Sequence, residues 1–150
     1  MLTGEPEYLD PLKDETPKGW IVTGYPWDQI TTPAHQKFVQ AYRKRYDEPP
    51  RLGSVVGYTT FMAIAEAIRK AKSTDTEKMI AAFRGLNLET VFGPITFRAL
   101  DQQSTFGAFV GRLDLKGDRG VMVDWHYKEG RNYFPADAVV KQRRPAEAQR

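Results

Sequence analysis

Gly53-Ser-Val-Val-Gly-Tyr-Thr-Thr-Phe-Met-Ala-Ile-Ala-Glu-Ala-Ile-Arg-Lys-Ala71 carries no charged side chain from Val55 through Ala65, whereas Glu66, Arg69, Lys70 and the following Lys72 crowd its last turns. Ser54 suits a helix N-cap, so the pattern predicts a helix from Ser54 to about Lys72. Its first half then has to be covered on several sides, and its second half has to reach the surface. Upstream, Gly19-Trp-Ile-Val-Thr-Gly24 is a short apolar run between glycines and reads as a buried strand. Thr32 before Pro33 is a good N-cap and N1 pair, and Phe38, Val39, Tyr42 and Tyr46 recur at helical spacing until Pro49-Pro50 forbids continuation. Lys37, Arg43, Lys44 and Arg45 fall among that helix's polar positions.

Downstream, Thr74-x-x-Glu77 has the form of a capping box, and Met79, Ile80 and Phe83 give a third, shorter helix that stops at Gly85. The period then changes to two. Ile95 and Phe97, Leu113 and Leu115, and Val121, Val123, Trp125 and Tyr127 alternate with more polar neighbours, as half-buried strands do. Lys116-Gly-Asp-Arg-Gly120 and Glu129-Gly-Arg131 have the chemistry of tight connections, so residues 106 to 134 read as an antiparallel meander. The whole is an α/β pattern without internal repeats.

A chain of 150 residues and 17.1 kDa is the size of one domain, able to bury roughly two-thirds of its unfolded surface. It has no cysteine, which removes disulfide frameworks, zinc ribbons, iron–sulfur clusters and thiol nucleophiles. The net charge of +3 sits in the last ten residues, where Lys141, Arg143, Arg144 and Arg150 face only Glu147. Met1 to Pro17 is the acidic counterpart, with Glu5, Glu7, Asp10, Asp14 and Glu15 against Lys13. No basic stripe marks a nucleic-acid surface, and the tail reads as a solvated, frayed terminus. No apolar run approaches a membrane span, and the first residues lack the basic and apolar regions of a signal peptide, so the chain as written is expected to stay in the cytoplasm.

Catalytic constellations are scarce. The two histidines, His35 and His126, are too few for a histidine metal site, and Asp124 beside His126 reads as the polar face of a strand. Gly53-Ser-Val-Val-Gly57 lacks the Lys-Ser/Thr of a phosphate loop, and neither Ser73 nor Ser104 sits in a nucleophile elbow. No cofactor, metal or enzymatic activity is expected. The informative residues are aromatic: Tyr25 and Trp27 directly follow a strand, where open α/β sheets bind ligands, and Tyr58 lies in the first turns of the apolar helix.

The order of segments resembles the type I periplasmic solute-binding proteins of ABC importers, in their branched-chain amino-acid branch. It is carried by Val-Thr-Gly-Tyr-Pro26, by Phe38…Tyr42…Tyr46 with Pro49-Pro50, and by Val56-Gly-Tyr-Thr-Thr through Ala71. Ser73-Thr-Asp75, Phe83-Arg-Gly-Leu86, Thr90-Val-Phe-Gly-Pro-Ile-Thr-Phe97, Asp101-Gln-Gln103 and Asp124-Trp-His-Tyr-Lys-Glu-Gly130 continue it over about residues 17 to 135.

The resemblance implies two Rossmann-like lobes with ligand closed between them, of which this chain is the C-terminal portion ending in an antiparallel meander. Residues 1–22 would end the second lobe, 23–105 complete part of the first, 106–135 cross back to the second, and 136–150 form the basic tail. Gly53, Ser54 and Tyr58 would border the cleft, beside Tyr25 and Trp27. The implied function is non-catalytic capture of a branched-chain or similar small amino-acid-like solute, delivered to an ABC importer permease from the periplasm. Binding by this chain alone is expected to be weak or absent, because one wall of a cleft cannot desolvate a zwitterion. The other expectation is a self-associating structural or interaction module that has lost transport. In either case apolar faces and sheet edges predict a homodimer or higher oligomer, one form of which exchanges the strands from about Phe106 to Phe134.

Overall fold

The computed structural model describes residues 2–143. A four-stranded sheet is built from β1 (Leu2–Gly4), β2 (Ile21–Gly24), β5 (Ala108–Lys116) and β6 (Arg119–Lys128), in the order β1-β2-β5-β6. β1 runs parallel to β2, and the other pairs are antiparallel. Between β2 and β5 the chain leaves the sheet to form α2 (Pro33–Tyr46), α3 (Leu52–Ala71), α4 (Thr76–Phe83) and the separate hairpin β3 (Asn87–Thr90) and β4 (Gly93–Thr96). The mixed α/β class expected from the sequence is the one observed.

The acidic lead is structured. Helix α1 (Pro6–Leu12) starts with Pro6 at a position where the missing N–H costs nothing, and Leu9 packs on Val22, Leu113 and Met122. β2 is shorter and less buried than its sequence suggests: Val22 is in the core, but Ile21 is 71% exposed. Gly24 cannot carry a Cβ, because one would overlap the carbonyl of Gly4 on β1 and the sulfur of Met122.

A bulge resets the phase of β6. Arg112 pairs with Val123 and Val110 with His126, so Gly111 faces two residues, Asp124 and Trp125, and Asp124 turns to φ +49°. Leu113 opposes Met122 and Phe109 opposes Tyr127, which puts Met122 on the face of Tyr127 and corrects the strict alternation expected there. The meander is also shorter than expected. β5 and β6 form one hairpin turning at Gly117, and Gly130–Tyr133 is a 3₁₀ turn instead of a strand connection.

Two helix starts differ from expectation, and a third keeps its expected N-cap residue without the capping hydrogen bond. Helix α3 begins at Leu52 with Arg51 as N-cap, and Ser54 sits three residues in, where its Oγ accepts the Arg51 N–H at 3.2 Å. The residue read as the cap is therefore the returning half of a capping box. For α4 the N-cap is Asp75, whose carboxylate accepts the Lys78 N–H at 3.1 Å; Thr74 is not the cap. Thr32 occupies the N-cap of α2, but its hydroxyl goes to the carbonyl of Val91 at 3.5 Å, not to the helix.

The expected covering of α3 on several sides is not found among the described residues. Val55, Thr59, Ala63 and Ala67 form its one buried stripe, against the β3–β4 hairpin, α4 and the residues after β2. Val56, Met62, Ile64 and Phe61, the last 75% exposed, face outward. The basic tail begins as helix α5 (Asp137–Arg143), with Val140 buried. Arg98 holds the approach to it, donating to Asp101 and to the Pro135 carbonyl at 3.0 Å while lying 4.5 Å over the Phe134 ring. The expected fraying of residues 144–150 lies outside the described residues.

Candidate ligand-binding site

Of the residues singled out in the sequence, Gly53 and Ser54 lie at the start of α3, next to α1 and α2. Arg51, the N-cap of α3, pairs with Asp10 of α1 at 3.2 Å, and the Gly53 N–H points to Glu7 Oε1 at 3.4 Å. Ser54 donates to the hydroxyl of Tyr42 at 3.1 Å, tying α3 to α2. Tyr58 is 47% exposed and packs its ring 5.1 Å from Phe38, beside the rings of Tyr42 and Tyr46. Beside Gly53 there is open space where a Cβ would stand.

Tyr25 and Trp27 are placed differently. Tyr25 is 1% exposed, packs with Ile30, Val55, Val91 and Phe109, and shares its hydroxyl proton with His35 at 2.6 Å. Desolvation, with the charge of Glu7 adding to it, pushes its phenol pKa well up, so the hydroxyl stays protonated. Trp27 packs half-buried against the same cluster and lines a cavity of about 30 Å³ with Gly4, Leu9 and Met122, room for about one water. That cavity includes none of Gly53, Ser54 or Tyr58.

Sequence reasoning missed two acids. Glu5 is buried just after β1, and Glu5 Oε2 and Glu7 Oε2 are both shielded from solvent without a hydrogen-bond partner among the described residues. Burial is the larger cause, and the charge of Glu7 a smaller one, that raises the Glu5 pKa, while its own backbone N–H pulls in the other direction. The acidic run in Met1 to Pro17 was visible as charge, but nothing in it distinguished a buried carboxylate from solvated ones. The unpaired Oε2 atoms of Glu5 and of Glu7, the latter reaching the start of α3, form an acceptor set suited to a positively charged, hydrogen-bond-donating group.

Asp124 and His126, read in the sequence as the polar face of a strand, are both exposed, and Asp124 pairs with Arg112. The described residues contain no group of His, Asp and Glu that could hold a metal ion. No helix among them is long and apolar enough to cross a membrane.

The family described as periplasmic binding protein matches residues 1–119, and the chain belongs to that family. A Leu/Ile/Val-binding protein homolog from Brucella abortus (strain 2308) is 37% identical over 59 residues, which cover 39% of this chain and 15% of the relative. A solved ABC-type branched-chain amino acid transporter protein from Rhodopseudomonas palustris CGA009 is 28% identical, covers 76% of this chain and 32% of its own, and superposes with a TM-score of 0.65. An amino acid ABC transporter substrate-binding protein from Pseudomonas fluorescens Pf-5, at 19% identity, shares the fold over 90% of this chain and 36% of its own, with a TM-score of 0.68. The chain thus spans about a third of those solved chains and less of the curated relative. The family is periplasmic and consists of solute-binding proteins, which are not enzymes.

Proposed function

We propose that this chain supplies one wall of the solute cleft of an ABC importer's binding protein, as the C-terminal portion of a two-lobed molecule whose ligand is an amino-acid-like solute, branched-chain amino acids first. The observation that carries the reading is the pair of unpartnered, shielded carboxylate oxygens of Glu5 and Glu7, of which Glu7 reaches the start of α3. An α-ammonium group offers three donors and the charge to offset theirs. Gly53 and Ser54 leave space for a side chain, and Tyr58 offers an apolar ring with a polar tip.

In this reading residues 1–22 and 106–135 belong to one lobe and 23–105 to the other, in keeping with β2, β5 and β6 sharing a sheet that α2 to β4 leave. The chain alone then binds weakly, since the opposite wall and the carboxylate's partners lie elsewhere, and the delivering partner is an importer permease. A second reading, a self-associating module, is favoured by the outward apolar residues of α3, and a homodimer through that face is its expected form.

Titration of the isotope-labelled chain with leucine, followed by amide NMR, tests the first reading. Leucine should shift Glu5, Glu7, Gly53 and Tyr58, while 4-methylpentanoate, which lacks the ammonium group, should not. Glu5→Gln should erase the difference between the two. Equal shifts from both compounds, or shifts confined to another face, would refute the assignment. Light scattering that returns a 17.1 kDa monomer removes the second reading.

A further inference from the structure

We propose that Tyr25 and His35 form a proton-sensitive latch that fastens the segment leaving the sheet after β2 to the first turn of α2. This inference rests on the fold and not on the proposed ligand. Tyr25 is the first residue beyond β2 and is tied to the sheet through its N–H, which donates to the Gly4 carbonyl at 3.2 Å. His35 lies in the opening turn of α2 and is 0% exposed, and its Nε2 is 2.6 Å from the Tyr25 hydroxyl. Phe92, from the β3–β4 turn, stacks on the imidazole at 5.9 Å and also meets Tyr25, Phe106 and Phe109. Both passages between the sheet and the helices, the one after Tyr25 and the one before Phe109, therefore meet at this ring cluster.

The proton inventory makes the latch sensitive. In the latch the phenol, held in its protonated form, donates to Nε2, which assigns the neutral imidazole its proton on Nδ1, on the side of the Ile30 carbonyl. Nδ1 makes no hydrogen bond of ordinary geometry; the Ile30 carbonyl is the polar group that acts on the ring. A second proton, on Nε2, would force the phenol to turn its O–H away and accept instead, and would place a charge on a ring that is 0% exposed. Burial accordingly lowers the His35 pKa, with the Ile30 carbonyl opposing. The ionisable groups around the pair are Glu7 of α1, which acts on Tyr25, Asp28 and Arg43, which line the same depression as His35, and Tyr127 beyond Phe92. None of them hydrogen-bonds to the ring among the described residues.

Ring-nitrogen NMR of the whole chain should show His35 as the Nδ1–H tautomer, with its midpoint below that of free imidazole. Tyr25→Phe, which removes the donor that holds the neutral form, should move the His35 midpoint up by about half a unit or more. His35→Gln keeps an acceptor for Tyr25 without a titration, so its urea midpoint should fall less than the wild type's between pH 7 and pH 5. A His35 midpoint at or above that of free imidazole, an Nε2–H tautomer, an unmoved midpoint in Tyr25→Phe, or an unchanged pH slope in His35→Gln would each overturn the latch. The tautomer and the His35 midpoint need no variant, so a misfolded substitution cannot shield the proposal.

Discussion

The sheet around Met122 and the helix α3 are written in similarly apolar sequence, yet one closes its core and the other does not. Leu9, Val22, Leu113 and Met122 are buried together between α1 and the strands, while α3 buries one stripe and turns Val56, Phe61, Met62 and Ile64 outward. The difference is one of neighbours. The sheet is covered by α1, which the chain's own first residues supply, whereas α3 is met on one side by α4, the hairpin and the residues after β2. Hydrophobicity tells how much surface a segment must hide, not whether the chain itself supplies the cover.

The contrast is broken most directly by one substitution in each region. Leu113→Ala opens a cavity in the closed core and should cost about 2–5 kcal/mol in urea unfolding. Phe61→Ser removes a larger side chain from α3 and should change stability by less than about 0.5 kcal/mol, lowering self-association instead. Comparable losses at the two positions would mean that α3 is covered in solution.

The next effect in size tests how tightly the sheet side is built. Gly24→Ala forces a methyl into the Gly4 carbonyl and the Met122 sulfur, so β1 must move away from β2, at about 1–3 kcal/mol. Gly57→Ala, on an α3 position with open space around it, should be neutral or stabilising by up to about 1 kcal/mol. Thermal midpoints of the two variants compare the regions within a single experiment.

How much of this was legible follows the range of the signals. The helices from Pro33 to Phe83 and the β5–β6 hairpin show in the sequence, because their periods and their punctuation, Pro33, Pro49-Pro50, Gly85 and Gly117, are local. The β1–α1 unit was not legible. β1 is three residues long, and α1 contains Pro11, so neither carries enough period to read, and Leu9 finds its place only through strands a hundred residues away. The bulge at Asp124 escaped because it shifts phase without changing composition. Of the proposed site, the start of α3 was found from the family resemblance and the aromatics from their places at element ends. Glu5 was not, since what sets it apart from Asp14 or Glu15 is burial by distant chain.

Glu5 gives a smaller effect of opposite sign. Its pKa is raised on folding, so the folded state binds the proton more readily than the unfolded chain. Its ionised form is then a cost above the folded pKa, and stability rises as the pH falls towards the unfolded value of 4.5. Glu5→Gln should therefore stabilise the chain at pH 7, by up to about 1 kcal/mol, and the gain should shrink as the pH approaches 4.5. A loss of stability at pH 7 would mean that the carboxylate has a partner in solution, and it would weaken the case for a vacant ammonium site.

The smallest effect separates charge from backbone at the bulge that gives the sheet its phase. Asp124 is exposed and pairs with Arg112, an arrangement that contributes little in water. Its backbone is the costlier feature, for at φ +49° it occupies a region that Asn and Asp tolerate and alanine does not. Asp124→Asn removes the charge and keeps the conformational preference, so it should lie within about 0.5 kcal/mol of the wild type. Asp124→Ala should cost about 1 kcal/mol. Arg112→Ala, which breaks the same ion pair from its other end, should match Asn and not Ala. If Asp124→Asn and Arg112→Ala instead lost as much as Asp124→Ala, the ion pair and not the turn would hold the bulge. Trp125 would then owe its place beside Gly111, on the face of Met122, to an electrostatic clamp that salt should loosen.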